Sequence, residues 1–193
     1  MPEPPTDLPI KEFATAGRLE AWLAKHHARS DGIWLRMRKK GAAKTSVNYS
    51  DALDAALCYG WIDGQVKSLD AESYIQRFTP RRARSRWSKL NVDRIARLTK
   101  AGRMQPAGIA QVDAAKRDGR WDAAYAPPSE RTVPDDFQKA LNKNRKAKAF
   151  FATLDRRNIY AISYQLDDAK RPETRERRIT QFVERLARGE KLY

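Results

Sequence analysis

The chain has 193 residues, and its 39 lysines and arginines against 24 acidic residues give it a formal net charge of +15. A charge of this size favours an anionic partner: nucleic acid or another polyanion, an acidic protein or an anionic membrane surface. One cysteine excludes an internal disulfide, and with two adjacent histidines it supplies no spacing typical of a metal site, so we expect neither a metal nor a cofactor.

The first residues predict where the protein is found. Residues 1–12 are rich in proline and have no hydrophobic period, so we expect an extended arm. They also lack the basic and apolar regions of a secretory signal. No apolar run in the chain reaches the roughly 18 residues that a membrane helix needs. The sequence therefore predicts a cytoplasmic protein without a transmembrane segment.

The next hundred residues mix the hydrophobic periods of strands and helices. From 33 to 38 apolar and polar residues alternate, which predicts a strand with Ile33 facing a core and Trp34 facing away from it. The other elements that we expect here are a helix over 17–29, a helix from Asn48 or Ser50 to Gly60, a hairpin of strands over 62–69 and 73–78, and helices from Asn91 to Gly102 and from Pro106 to Gly119.

The last third of the chain has a helical period only, with apolar residues recurring from Phe137 to Leu186. The predicted fold class is therefore α+β, with a small antiparallel sheet packed on helices and a helical C-terminal part. We expect four segments: an extended arm over 1–12, an α+β domain over 13–125 with a basic hairpin-to-helix segment, a linker over 126–132 and a helical region over 133–193.

The positive charge is concentrated in one segment, since residues 77–103 hold ten basic residues and one acid. Arginine supplies forked donors to phosphate and stacks on bases. This segment is therefore the candidate binding site for an anionic partner, and nucleic acid is the first candidate. The alternatives are a solvated surface loop, or arginine stems that pack over Trp87 and Phe78. The candidate binding residues are Arg77, Arg81, Arg82, Arg84, Arg86 and Lys89.

Several short motifs resemble the bacterial bacteriocin-protection family, described as YdeI-like or OmpD-associated. The motifs are Leu57-Cys58-Tyr59-Gly60-Trp61-Ile62-Asp63-Gly64, Arg77-Phe78-Thr79-Pro80-Arg81-Arg82, Ser85-Arg86-Trp87-Ser88-Lys89-Leu90-Asn91, Asp118-Gly119-Arg120-Trp121 and Lys170-Arg171-Pro172-Glu173-Thr174-Arg175. The similarity extends from about Phe13 to Leu186. It implies a role in the tolerance of bacteriocins or cationic antimicrobial agents, which is a form of stress tolerance. It brings no reaction, cofactor or catalytic residue with it.

A second function stays open beside anion binding. Trp61, Asp63, Arg77 and Trp87 could line a cleft for a small molecule, because pairing of the hairpin strands brings its two ends together. In that arrangement Arg77 would be the bidentate partner of Asp63. No P-loop, dinucleotide-binding, zinc-protease or hydrolase motif occurs in the sequence, so the residues leave open whether the protein is an enzyme.

Overall fold

The computed structural model describes residues 5–127 and 132–193, and it confirms the α+β class. The chain divides into two compact units, Met1–Tyr125 and Ala126–Tyr193, which we call the first and the second unit. Each unit has its own hydrophobic core. The predicted arm over 1–12 and the predicted linker over 126–132 both lie partly outside the described residues.

The first unit is a mixed sheet with helices. Its strands lie in the order β1-β2-β4-β3, and their bounds are β1 Ile10–Glu12, β2 Ile33–Arg38, β3 Trp61–Ser68 and β4 Ser73–Pro80. The predicted hairpin is β3 and β4, and β4 also pairs antiparallel with β2. The sheet is not purely antiparallel, because β1 lies in the segment expected to be an extended arm and pairs parallel with β2.

Four helices complete the described part of the first unit: α1 Ala16–His26, α2 Tyr49–Cys58, α3 Lys89–Lys100 and α4 Pro106–Arg117. Asn48 caps α2, as one of the two predicted alternatives, through a 3.0 Å hydrogen bond from the Asp51 amide. Ser88, and not Asn91, caps α3. The earlier cap starts α3 at Lys89 and leaves only a short loop after β4.

The two faces of the sheet have different neighbours. Residues that pair across strands share a face, so Ile33, Phe78 and Asp63 lie on one side, where the core with α1 to α4 is packed. Trp34 lies on the opposite face, as predicted, yet it is 1% exposed. Its indole N–H donates to Asp7 Oδ1 at 2.9 Å, and the charged ends of Lys67 and Arg77 lie over its ring.

Helices α2 and α4 approach each other closely. A Cβ atom added to Gly108 of α4 would overlap the carbonyl oxygen of Cys58 at the end of α2. The same carbonyl accepts a hydrogen bond of 3.1 Å from the Gln105 amide just before α4. Glycine is therefore required at this position for the two helices to pack.

The second unit is helical in its described residues, with α5 Asp135–Asn142, α6 Arg145–Phe151, α7 Arg156–Asp168 and α8 Pro172–Ala187. Phe137, Ile162 and Leu186 are among the apolar residues that form its core. Arg175 of α8 links three helices of the unit, since it donates to Asp136 of α5 and to the Leu166 carbonyl of α7. Within the described residues of both units, no helix has the length and hydropathy needed to cross a membrane.

Candidate functional site

The segment between β4 and α3, residues 81–88, is an ordered turn, and we call it the basic loop. The Arg81 amide donates to the Gly60 carbonyl at 3.0 Å, which continues the pairing of the hairpin by one residue. Ser85 then closes a turn, because its hydroxyl accepts from the Arg82 amide at 2.9 Å and its own amide donates to the Arg82 carbonyl at 2.9 Å. These bonds set the directions of the arginine side chains that the sequence places in one run.

The six predicted binding residues do not form one surface. Arg82, Arg84 and Lys89 are exposed, and no carboxylate in the described part of the chain pairs with them. Arg86 is half-buried and its guanidinium lies 5.3 Å from the centre of the Tyr125 ring. Arg81 is only 6% exposed. Arg77 belongs to β4 and contacts Asp7 at 3.2 Å.

Other arginines of the first unit already have acidic partners within the chain, which distinguishes them from Arg82, Arg84 and Lys89. The shortest nitrogen–oxygen distance in these pairs lies between 2.5 and 2.8 Å. The pairs are Arg36–Asp70, Arg38–Glu12, Arg94–Asp54, Arg97–Asp54, Arg103–Glu20 and Arg120–Asp118. Their charge is neutralised locally, so it contributes less to the attraction of an external anion.

Arg81 turns inward and stacks on the indole of Trp87. The centre of its guanidinium lies 3.5 Å from the centre of the Trp87 ring, and Nη1 donates to the Arg86 carbonyl at 3.1 Å. Burial lowers the pKa of Arg81 to about 10, and the nearby Asp63 and Tyr125 partly oppose this shift. The guanidinium is therefore still charged at neutral pH. This is the packing of an arginine over an aromatic ring that the sequence offered as the alternative to an exposed binding residue.

Asp63 and Arg77 do not form the predicted pair. Asp63 pairs across the hairpin with Phe78, so the side chain of the preceding Arg77 lies on the opposite face of the sheet. There Arg77 contacts Asp7 at 3.2 Å and lies 5.9 Å from the centre of the Trp34 ring. The alternation of side chains along β4 thus separates two residues whose backbones are close.

Asp63 instead accepts a hydrogen bond of 2.8 Å from the Tyr49 hydroxyl. Burial, together with this bond and the charge of Asp63, raises the pKa of Tyr49 well above its usual value. The hydroxyl therefore stays protonated and remains a donor to the carboxylate. Sequence reasoning missed Tyr49, since nothing near it in the sequence indicates a contact with a residue on another element.

The two tryptophans of the predicted cleft belong to the core. Trp61 is 1% exposed, and its indole N–H donates to the His27 carbonyl at 3.2 Å. Trp87 is 2% exposed and packs edge to face with Trp121. Because Asp63 and Arg77 occupy opposite faces and both tryptophans are buried, Trp61, Asp63, Arg77 and Trp87 do not line a common cleft.

The described chain also holds Cys58 and residues of the metal-ligating types. Burial raises the pKa of the Cys58 thiol to about 11, so the nucleophilic thiolate is scarce at neutral pH. Among residues 5–127 and 132–193, no group of three His, Cys, Asp or Glu side chains is placed to hold a metal ion.

Two family models match the chain. Residues 130–189 match the family described as bacteriocin-protection, YdeI or OmpD-associated, which confirms the resemblance for the C-terminal part. The motifs quoted between residues 57 and 91 lie in a segment that a different model matches: residues 11–111, just over half of the chain, fit a domain of unknown function, DUF8412. No curated protein and no solved structure matches the sequence. The chain therefore belongs to the DUF8412 family, and its second unit carries a segment similar to the bacteriocin-protection family.

Proposed function

We propose that this protein is a binding module for an anionic partner, with nucleic acid as the first candidate, and that Arg82, Arg84 and Lys89 make the contact. One observation carries the proposal: these three cations lie within eight residues of the chain and are exposed and unpaired in its described part, whereas the arginines that follow on α3 are held by carboxylates. Exposed, flexible cations with no internal partner are free to replace the counterions of a phosphate backbone.

The geometry favours contact with phosphates over reading of bases. Arg82 and Arg84 lie in a turn, and only Lys89 belongs to a helix. A turn presents its cations without the regular spacing of a helix that enters the major groove. We therefore expect binding that depends strongly on salt and weakly on nucleotide sequence. A cytoplasmic location, where nucleic acid is abundant, is part of the same proposal.

The second unit supports a protective role. The family that matches residues 130–189 is described by bacteriocin protection, and we infer that this chain contributes to such protection and to stress tolerance. In this account the first unit supplies the attachment to the anionic partner. An acidic protein or an anionic membrane surface is the competing partner, and the experiment below includes both.

The test is fluorescence anisotropy of a labelled DNA duplex titrated with the full chain at low salt. The variant Arg82→Ala/Arg84→Ala/Lys89→Ala should bind at least about tenfold more weakly, because three charge-assisted contacts are lost. The control Arg29→Ala/Lys40→Ala/Lys44→Ala removes the same charge from exposed residues elsewhere in the first unit, and it should bind much as the wild type does.

Competition identifies the partner class. Unlabelled duplexes of different sequence should displace the labelled DNA equally well, and vesicles containing phosphatidylserine or an acidic protein should do so less well. Equal affinity of the triple variant and the wild type contradicts the proposal. Preferential binding to vesicles or to the acidic protein replaces nucleic acid with that partner.

A further inference from the structure

Three buried N–H donors of two stacked side chains have no acceptor among the described residues. They are Nε and Nη2 of Arg81 and Nε1 of Trp87. Arg81 is 6% exposed and Trp87 is 2% exposed, so bulk water does not replace the missing acceptors. Buried donors in folded proteins are nearly always paired, because an unpaired buried donor has lost its hydrogen bonds to water and has gained none in their place. Three such donors on two stacked side chains indicate a site for an acceptor that the described residues do not supply.

The free edge of Arg81 has the shape that recognises an oxyanion. Nη1 is occupied by the Arg86 carbonyl at 3.1 Å, and one face of the guanidinium rests on the Trp87 ring at 3.5 Å. What remains is the edge formed by Nε and Nη2, whose two parallel N–H bonds match two oxygens of a carboxylate or phosphate. Stacking on Trp87 fixes the orientation of this edge before a ligand arrives.

The charges around Arg81 also favour an anion. Asp63 is the nearby carboxylate that favours the charged guanidinium, but it already accepts a hydrogen bond from Tyr49 at 2.8 Å. The positive charge of Arg120 lies close enough to act on Arg81 as well. The positive charges of Arg81 and Arg120 are thus opposed by the carboxylate of Asp63, which already accepts a hydrogen bond from Tyr49.

The covering of the site limits the size of its ligand. The basic loop closes on Arg81 through the Arg86 carbonyl, and Arg120 fixes the loop by donating to the Ser85 carbonyl at 2.9 Å. A phosphate within a duplex is too bulky to reach a guanidinium that is more than nine-tenths buried. A ligand for this edge is therefore a small free anion, which reaches the buried donors when the basic loop moves aside.

We propose that Arg81 and Trp87 form a binding site for a small oxyanion, a carboxylate or a phosphate, whose oxygens accept from Nε and Nη2 of Arg81. Trp87 Nε1 donates to the same ligand or to a water molecule that the ligand holds. This site is separate from the exposed cations Arg82, Arg84 and Lys89, and it goes beyond the binding of nucleic acid.

The test follows side-chain N–H signals of the ¹⁵N-labelled full chain by NMR. Inorganic phosphate and acetate are titrated separately at constant ionic strength, with sodium chloride as the balance. The Arg81 Nε–H and Trp87 indole N–H signals should shift and reach saturation. The indoles of Trp34 and Trp61 already donate within the chain, so their signals should stay in place. The anion that saturates at the lower concentration identifies the ligand as a phosphate or a carboxylate.

Two variants assign the signals and test the site. Arg81→Lys keeps the charge but loses the paired donors, and it should weaken binding of the better anion roughly tenfold or more. The matched control Arg29→Lys changes an exposed arginine and should bind as the wild type does. If Arg81→Lys does not fold, Trp87→Phe decides: it keeps a smaller aromatic ring under Arg81, removes the indole donor and should weaken binding measurably. Signals that do not respond to either anion, or unchanged affinity in the variant that folds, overturn the proposal.

Discussion

Replacing Asp54 with Asn tests how α2 and α3 are joined in the first unit. Asp54 of α2 is 4% exposed, and it accepts hydrogen bonds from Arg94 at 2.8 Å and from Arg97 at 2.6 Å, both on α3. Burial raises the pKa of Asp54, but the hydrogen bonds and charges of Arg97 and Arg94 more than offset it, so the pKa lies below its usual value. The carboxylate is therefore more stable in the folded chain than in the unfolded one.

The size of the effect follows from the two bonds. An amide keeps one acceptor oxygen and turns an N–H₂ group toward the second guanidinium, so one charge-assisted bond is lost, at about 1.5–3 kcal/mol. The Arg97 side chain is 56% exposed and can turn into solvent, which places the cost at the lower end. We expect Asp54→Asn to lower the free energy of unfolding by about 2 kcal/mol at pH 7.

Urea unfolding followed by tryptophan fluorescence measures this loss. All five tryptophans lie in the first unit, so the signal reports on that unit. With a slope near 2 kcal/mol per molar urea, the midpoint should fall by about 1 M. The control Asp93→Asn replaces an exposed acid of α3, and it should change the free energy of unfolding by less than about 0.5 kcal/mol.

The pH dependence separates the charge of Asp54 from its packing. Because the pKa of Asp54 is lower in the folded chain, its stabilisation is complete above about pH 4 and is lost as the pH falls through the folded pKa. The difference between wild type and Asp54→Asn should therefore shrink in acid. Equal midpoints at pH 7, or a difference at pH 3 as large as at pH 7, would refute the reasoning.

Three further predictions concern packing and reactivity. Gly108→Ala should destabilise the first unit by about 3 kcal/mol or more, since the new methyl group overlaps the Cys58 carbonyl; Gly17→Ala, which meets nothing within 4 Å, should leave the urea midpoint unchanged or raise it. The Cys58 thiol should react with iodoacetamide slowly in the native chain and rapidly in urea, because burial raises its pKa to about 11; equal rates contradict this. Arg175→Met should lower the thermal midpoint of the second unit, followed by circular dichroism, because Asp136 loses the partner that depresses its pKa; an unchanged midpoint contradicts it.

The elements of the fold with strong local signals could be predicted from the sequence. The alternation from Ile33 to Arg38 gave β2 its bounds, and Pro106 marked the first residue of α4. Strand β1 was missed, because three residues are too few to show a period. Its pairing is supplied by β2, a partner more than twenty residues away along the chain.

The candidate site was harder to predict than the fold. The sequence indicates that the segment after β4 is basic, but it does not show which arginine turns inward. Arg81 and Arg82 are neighbours of the same type, yet one is buried on Trp87 and the other is exposed. The Asp63–Arg77 pairing failed because adjacent strand residues face opposite ways, so backbone proximity does not imply side-chain contact.

The salt dependence of DNA binding tests the central claim most directly. The logarithm of the association constant is measured against the logarithm of salt concentration for the wild type, for the variant lacking Arg82, Arg84 and Lys89, and for the control at residues 29, 40 and 44. If these three cations contact phosphates, the slope of the variant should be less negative by about 2.7, at 0.9 for each lost contact, and the control should keep the wild-type slope. Parallel lines for the wild type and the variant contradict the claim, because they show that these cations release no counterions from the nucleic acid.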